Sequence, residues 1–212
     1  MNNPVSVQKV IAQNITKQFA LRKVLSHLSF EVERGQSLVI TGPNGSGKST
    51  LIKILSGLLR PSRGEVHYIT PAGNSSPQQN IHAIGLVSPY LQLYPDLTAR
   101  EHILLFGQLH GVANPLNRGL QFMHKFGLGG REIDPIKAYS SGMVQRMKYV
   151  LALLHEPDVL LVDEPTANLD EEGKGVVQET IATYKRHHIV IIATNESEEI
   201  TWGDSRVDVT EK

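Results

Sequence analysis

The chain of 212 residues contains no cysteine. Disulfides and thiol catalysis are therefore excluded, and a reducing compartment is compatible with the composition. Long apolar runs are missing as well. The longest, "LIKILSGLL" and "VLALL", fall well short of the ~18 residues that a membrane-spanning helix needs. The opening "MNNPVSVQKV" has no apolar core of the kind a signal peptide carries. The expectation is a chain that does not cross a membrane alone but can sit against a protein that does. Neither sign of charge dominates, because 21 Lys and Arg balance 21 Asp and Glu. There is no basic stripe of the kind nucleic-acid binding requires, so no nucleic-acid partner is expected. The nine histidines show no metal-ligand spacing. His187 and His188 are expected to flank a strand in solvent. Internal repeats and a coiled-coil insertion are also absent from the sequence.

What is present is concentrated in two segments. Gly42 to Thr50 reads "GPNGSGKST", which fits G-x-x-x-x-G-K-[ST] through Gly42, Gly47, Lys48 and Ser49. The flanks have the required order. "SLVIT" (residues 37–41) is a β-rich run, and "STLIKILSGLL" has helical apolar spacing at Leu51, Ile54, Leu55 and Leu58. Glycines let a backbone close around phosphates, where a Cβ would collide. The amides of the following helix start then face the anion. Lys48 supplies a mobile positive charge, and the Ser49 hydroxyl is suited to the shell of Mg²⁺.

The second segment is "DVLLVDEPTANLD", residues 158–170. "VLLV" is the continuous apolar run of a strand buried on both faces of a parallel sheet. It ends in Asp163 and Glu164, whose side chains alternate in direction and can take different tasks. Asp163 is suited to holding Mg²⁺, and Glu164 to orienting and deprotonating a water. Standing alone, such a pair reads as two solvated acids before Pro165. Beside a phosphate loop it is what phosphate–anhydride hydrolysis needs. Between the two segments lies "YSSGMVQRMKYVLALLHEP". Ser140 and Ser141 are good N-cap residues. The apolar positions Met143, Met147, Val150, Leu151 and Leu154 predict a helix ending near His155.

In this order the pieces resemble the ATP-binding subunit of an ABC transporter, from about residue 5 to residue 195. "GPNGSGKST" resembles the Walker A motif, "VLLVDEP" Walker B with its catalytic glutamate, and "ANLD" the D-loop. "YSSGM" stands where the family has its L-S-G-G-Q signature. Ser140 and Gly142 match that motif, while Tyr139, Ser141 and Met143 depart from it. The resemblance implies ATP and Mg²⁺ as cofactors. It places the phosphates on Gly42, Pro43, Asn44, Gly45, Ser46, Gly47, Lys48, Ser49 and Thr50, and the metal on Ser49 and Asp163. It places Phe19, in "ITKQFALRKVL", against adenine; the competing reading is an ordinary core phenylalanine. It further implies a head-to-tail pair of such chains, alike or related, in which Ser140 and Gly142 of one complete the ATP site of the other. An integral membrane subunit is the implied partner, with the chain cytoplasmic and peripheral on the inner face of the cell membrane. The compact length, with no C-terminal regulatory domain, is similar to exporter-type subunits such as the haem exporter of cytochrome c maturation.

Two departures concern catalysis. In "SPYLQLYPDLTARE" the family's glutamine, which contacts Mg²⁺ and the attacking water, falls on Pro89. Proline supplies no such amide; Gln92 lies three residues later and is the alternative source of one. In "IVIIATNESEEI" the family's switch histidine falls on Asn195, which donates a hydrogen bond but carries no charge. Glu164 is intact, so hydrolysis is expected to survive at a lower rate.

The fold class read from these patterns is α/β: a P-loop NTPase core with a mainly parallel sheet, an antiparallel β layer and a helical subdomain. Residues 1–212 are read as a single ATP-binding domain, with the core over about 1–88 and 157–212 and the helical subdomain over about 90–156. "VSVQKVIAQNIT", "SHLSFEVERG", "EVHYI" and "NIHAIGLVS" are assigned to the antiparallel layer. "TPAGNSSPQQN" reads as a surface hairpin loop. Thr98 with Glu101 reads as a capping box. The leading function is ATP hydrolysis that powers a separate membrane-spanning transporter. The alternatives are a soluble ABC-type ATPase, and an ATP-driven dimerisation switch with little turnover.

Overall fold

The computed structural model describes residues 6–210; the start of "MNNPVSVQKV" lies outside them. The elements in chain order are β1 (Lys9–Phe19), β2 (Arg22–Glu33), β3 (Ser37–Thr41), α1 (Lys48–Leu55), β4 (Arg63–Thr70), β5 (Gly73–Ser75), β6 (Ile84–Val87), α2 (Ala99–Leu109), α3 (Pro115–Lys125), α4 (Ser141–Leu153), β7 (Val159–Asp163), α5 (Glu171–Tyr184), β8 (Ile189–Ala193), α6 (Ser197–Ile200) and β9 (Ser205–Asp208). They form two sheets. A four-stranded antiparallel sheet runs β2-β1-β4-β5, and a five-stranded parallel sheet runs β6-β7-β8-β3-β9.

The parallel sheet is buried on both faces, as its uninterrupted apolar runs require. Leu38, Ile40, Leu161, Ile189 and Ile191 face one core, shared with α1 and with Val10, Ala12, Ile15 and Tyr68 of the antiparallel sheet. Val39, Leu160, Val162, Val190 and Ile192 face the other, shared with Tyr149 and Val150 of α4 and Val177 and Ile181 of α5. Alternation along each strand thus divides one sheet between two cores. Asp163 is opposite Ala193, and Ile40 is opposite the same alanine. Three central strands therefore end at one level, so the segments that follow them emerge side by side.

Four sequence-based assignments change. Ile84–Val87 of "NIHAIGLVS" is not in the antiparallel layer; it pairs parallel with β7 at the sheet edge. The run alone could not reveal this, because four residues fit either sheet. Leu58 does not extend the apolar face of α1. The helix stops at Leu55, Gly57 takes a φ of 79°, and Leu58 is exposed. "TPAGNSSPQQN" is more ordered than a loop: β5 hairpins back onto β4, and a 3-10 turn follows over Pro77–Ala83. His187 is exposed as expected, but His188 is half-buried and stacks on Tyr184 with ring centroids 4.1 Å apart. The expected capping box is formed: Thr98 Oγ1 accepts from Glu101 N, and Glu101 accepts from Thr98 N at 2.7 Å.

A second histidine stack has a consequence for stability. His110 and His155 lie 3.9 Å apart, centroid to centroid, and His82 meets His110 edge-on. Burial pushes His155 down to about 4, and the neighbouring His110 adds to the shift, while its bond to Ile84 O opposes it. The folded state thus binds the proton less well than the unfolded chain, whose histidine titrates near ~6.5. This contribution to stability is complete above that value and is lost as pH falls through it toward about 4. Denaturant titrations at about pH 7.5 and about pH 5 should show a smaller acid-induced loss for His155→Phe than for the parent chain.

Candidate nucleotide site

The loop between β3 and α1 supplies the first part. Gly42 has a φ of 143°, and a Cβ there would lie 2.7 Å from Ser46 Oγ and 2.9 Å from Val209 Cγ2. Gly47 has a φ of 113°, and its Cβ would lie 2.8 Å from both Val24 Cγ1 and Leu25 Cδ2. Both positions exclude a side chain by conformation and by space. The loop therefore packs tightly against the antiparallel sheet and Val209, just past β9, while Pro43, Asn44 and Gly45 remain exposed. Lys48 is buried and donates from Nζ to Gly42 O at 2.7 Å and to Pro43 O at 3.2 Å. Its ammonium thus lies across the loop. Gly47 caps α1 without a side-chain bond, and the first turn holds no acid. Its amides face the loop uncompensated, which favours an anion there. Ser46 Oγ is buried without a hydrogen-bond partner.

Asp163 closes this region from β7. It is 1% exposed, and its Oδ1 has no hydrogen-bond partner. Ser88 Oγ, at the end of β6, lies 3.4 Å from the other oxygen. Burial raises the Asp163 pKa, the charge of Glu164 adds to the rise, and the hydroxyls of Ser49 and Ser88 together with the Lys48 charge oppose it. A buried carboxylate oxygen with no partner, beside a serine hydroxyl and a phosphate loop, is a donor set suited to a hard divalent cation.

Glu164 follows in the left-handed region with φ 52°, and its amide donates to Ala193 O at 2.9 Å. Such a backbone in a non-glycine residue carries a cost and recurs at functional sites. It turns Glu164 out of the sheet into solvent. Asn195 emerges from β8 beside it, after Thr194, whose amide donates to Ile40 O at 3.1 Å. Asn44, Glu164, Asn168 and Asn195 line one cleft of about 750 Å³. The strand register therefore brings together the loop after β3, Glu164 and Asn195.

Other residues lie apart. Phe19 sits at the end of β1, 47% exposed, with Lys17 Nζ 5.0 Å from its ring centre. It is not a core phenylalanine. The same β1–β2 hairpin carries Val24, which packs on Gly47. Ser140 is the N-cap of α4 and accepts from Met143 N at 3.2 Å. A Cβ on Gly142 would stand 2.8 Å from Asn168 O. Ser140, Gly142, Arg146, Asn168 and Asp170 line a separate recess of about 310 Å³. Arg146 pairs with Asp170, which caps α5 by accepting from Gly173 N at 2.9 Å. Asn168 borders both the recess and the cleft. Tyr139, a departure from the signature, is buried and donates to Arg131 O at 2.7 Å.

The segment after β6 differs most from the sequence-based reading. Gln92 does not reach the cleft. It is exposed and lines an apolar groove of about 230 Å³ with Leu58, Ile81, Leu91, Phe106 and Lys148. The polar group beside Asp163 is instead Ser88, immediately before Pro89. Lys148 of α4, 8% exposed, donates to Ser88 O at 3.0 Å and holds that turn. Neither residue had a sequence signal, because the contact joins a strand end to a helix 60 positions away.

The family model described as ABC transporter matches residues 25–167. Linearmycin resistance ATP-binding protein LnrL of Bacillus subtilis strain 168 is 30% identical over 207 residues, covering 95% of this chain and 66% of that protein. Nod factor export ATP-binding protein I of Burkholderia lata is 34% identical over 195 residues, covering 88% of this chain and 62% of that protein. The chain thus spans slightly less than two thirds of the length of these relatives. A solved structure titled as the ATP-binding subunit of an ABC transporter matches with a TM-score of 0.85 at 26% identity, covering 94% of this chain and 85% of that one. The chain belongs to the ABC transporter family, as an ATP-binding domain with the ABC ATPase fold.

Proposed function

We propose that this chain hydrolyses ATP with Mg²⁺ as part of a head-to-tail pair and thereby powers a separate membrane-spanning transporter. The observation that carries the reading is the buried Asp163 carboxylate, with one oxygen unpartnered, between the phosphate loop and the outward-turned Glu164. In this reading the loop from Gly42 to Thr50 binds the phosphates, and Lys48 exchanges its loop carbonyls for phosphate oxygens. Ser49 and Asp163 hold Mg²⁺, which supplies charge neutralisation to the phosphates when bound. Glu164 takes a proton from the attacking water, and Asn195 donates toward the γ-phosphate. Phe19 stacks on adenine; its exposure and the nearby Lys17 cation suit a π face.

Ser140 and Gly142 open on their own recess rather than on the cleft. They complete a site only if a second chain brings them to it, which supports pairing with a second copy or a related subunit. In such a pair ATP shifts the open–closed balance by its differential affinity for the closed form, and hydrolysis removes that bias. We assign residues of about 90–156, which carry α2, α3 and α4, to a helical subdomain on the P-loop core.

Among the described residues no helix is long and apolar enough to cross a membrane. The apolar groove beside Gln92 and Phe106 is the surface we assign to the membrane subunit, with this chain on the inner membrane face. Similarity to a Nod factor export ATP-binding protein favours export. The test is phosphate release from ATP by the full chain with Mg²⁺ or with a chelator. Magnesium-dependent release is expected, and its absence in the purified chain and in the chain with its membrane partner would refute the proposal.

Asn195 sits where charge redistributes during transfer. A donor that engages the transition state more than the ground state raises kcat without tightening substrate binding. Asn195→His is therefore expected to raise kcat more than it changes KM. A clear fall in kcat would mean that the site is built around asparagine.

A further inference from the structure

Glu164 and Asn195 reach the cleft on two different segments, one after β7 and one after β8. Between these segments, inside the protein, lies the carboxylate of Glu199. Glu199 of α6 is 3% exposed. Its Oε1 accepts from Thr166 N at 3.2 Å and from Thr166 Oγ1, and its Oε2 accepts from Thr194 Oγ1. Thr166 is two residues past Glu164, and Thr194 immediately precedes Asn195. Thr194 is itself held from the far side, where Glu196 N donates to its Oγ1 at 2.9 Å. Tyr149 of α4 fixes the first segment independently by donating to Pro165 O at 2.9 Å.

A buried carboxylate is costly unless its oxygens are satisfied. Here three donors satisfy it, and none is a cation. Packing alone has no need of a charge at this place. Charge-assisted bonds are shorter and stronger than neutral ones, so what the carboxylate adds, by bonding to both loops at once, is fixed spacing between them. We infer that Glu199 is a positioning residue, which sets the distance between Glu164 and Asn195 through Thr166 and Thr194. The inference rests on the assignment of Glu164 and Asn195 to catalysis made above. Sequence reading missed it, because "ESEEI" has the appearance of three solvated acids.

The test uses the full chain and follows kcat, KM and nucleotide affinity separately. Trp202, the sole tryptophan, lines the same cleft, so its fluorescence reports binding of a non-hydrolysable ATP analogue. Misplacing a catalytic group by an ångström costs up to about a hundredfold in rate. Glu199→Ala is accordingly expected to lower kcat between about tenfold and about a hundredfold, with analogue affinity within about threefold. Glu199→Gln keeps an acceptor for Thr166 and should recover most of the loss. The pair Thr166→Val with Thr194→Val should reproduce the loss and, added to Glu199→Ala, deepen it little.

The inference is overturned if folded Glu199→Ala keeps its kcat, if Glu199→Gln is no better than Glu199→Ala, or if rate and affinity fall together in step with Tm. Should Glu199→Ala not fold, the glutamine and threonine variants decide in the same way. Glu164→Gln is measured alongside. If that variant retains full activity, the underlying assignment fails; if it is inactive while Glu199→Ala is unaffected, only the role of Glu199 fails.

Discussion

Replacing Glu164 with glutamine is expected to lower turnover at least about a hundredfold while leaving ATP affinity within about twofold. The amide has the shape of the carboxylate but does not take a proton from water. In the proposed site the phosphate contacts come from other elements, the loop after β3 and the start of α1, so binding has no reason to fall. Glu164 also sits on a strained backbone at φ 52°, held by its amide bond to Ala193 O. Glutamine fits that conformation as well as glutamate does, so Tm should not drop. With hydrolysis blocked and binding intact, the ATP-bound pair should accumulate and elute ahead of the monomer in size exclusion. A Glu164→Gln chain that stays monomeric with ATP and hydrolyses it at the parent rate would remove Glu164 from catalysis.

The second large effect is expected at Lys48. Its ammonium reaches two loop carbonyls, and a bound triphosphate offers stronger, anionic acceptors in the same place. A charge-assisted bond of this kind contributes about 1.5–3 kcal/mol. Lys48→Ala should therefore weaken ATP binding by between about 10-fold and about 150-fold, at ~1.4 kcal/mol per decade. The freed carbonyls sit in an exposed loop where water replaces the lost donor, so the fold should be retained. Analogue titration followed through Trp202, with Tm measured on the same samples, separates the two effects. Unchanged affinity would mean that the loop does not cradle phosphate.

Much of this site is legible in the chain itself. β3 and β7 announce themselves as short apolar runs, each stopping at a residue with chemistry, and the loop from Gly42 to Thr50 has its spacing written in glycines. What could not be read is non-local. Ser88 gains its place beside Asp163 only because β6 pairs with β7, a choice that four residues of Ile84–Val87 do not encode. Gln92 is three positions from Pro89 in sequence, yet the turn held by Lys148 sends it to the apolar groove instead. From sequence Phe19 reads either as a core residue or as one set against a ligand, and its exposed position at a hairpin end excludes the core. Glu199 is indistinguishable from its acidic neighbours until Thr166 and Thr194 are brought to either side of it.

The central claim, a site completed by a second chain, is tested most directly by mixing two defective chains. Lys48→Ala impairs the phosphate loop, and Ser140→Tyr fills the recess at the start of α4. Each variant alone forms pairs with two damaged sites. In a mixed pair of head-to-tail geometry, one site combines an intact phosphate loop with an intact Ser140, while the other carries both defects. The account predicts that, at an ATP concentration limiting for Lys48→Ala, mixing the impaired Lys48→Ala and Ser140→Tyr chains restores ATP hydrolysis well above either alone, at one good site per mixed pair. If the mixture of stably folded variants stays at the average of its components while mixed pairs are shown to form, the site is complete within one chain and the account is contradicted.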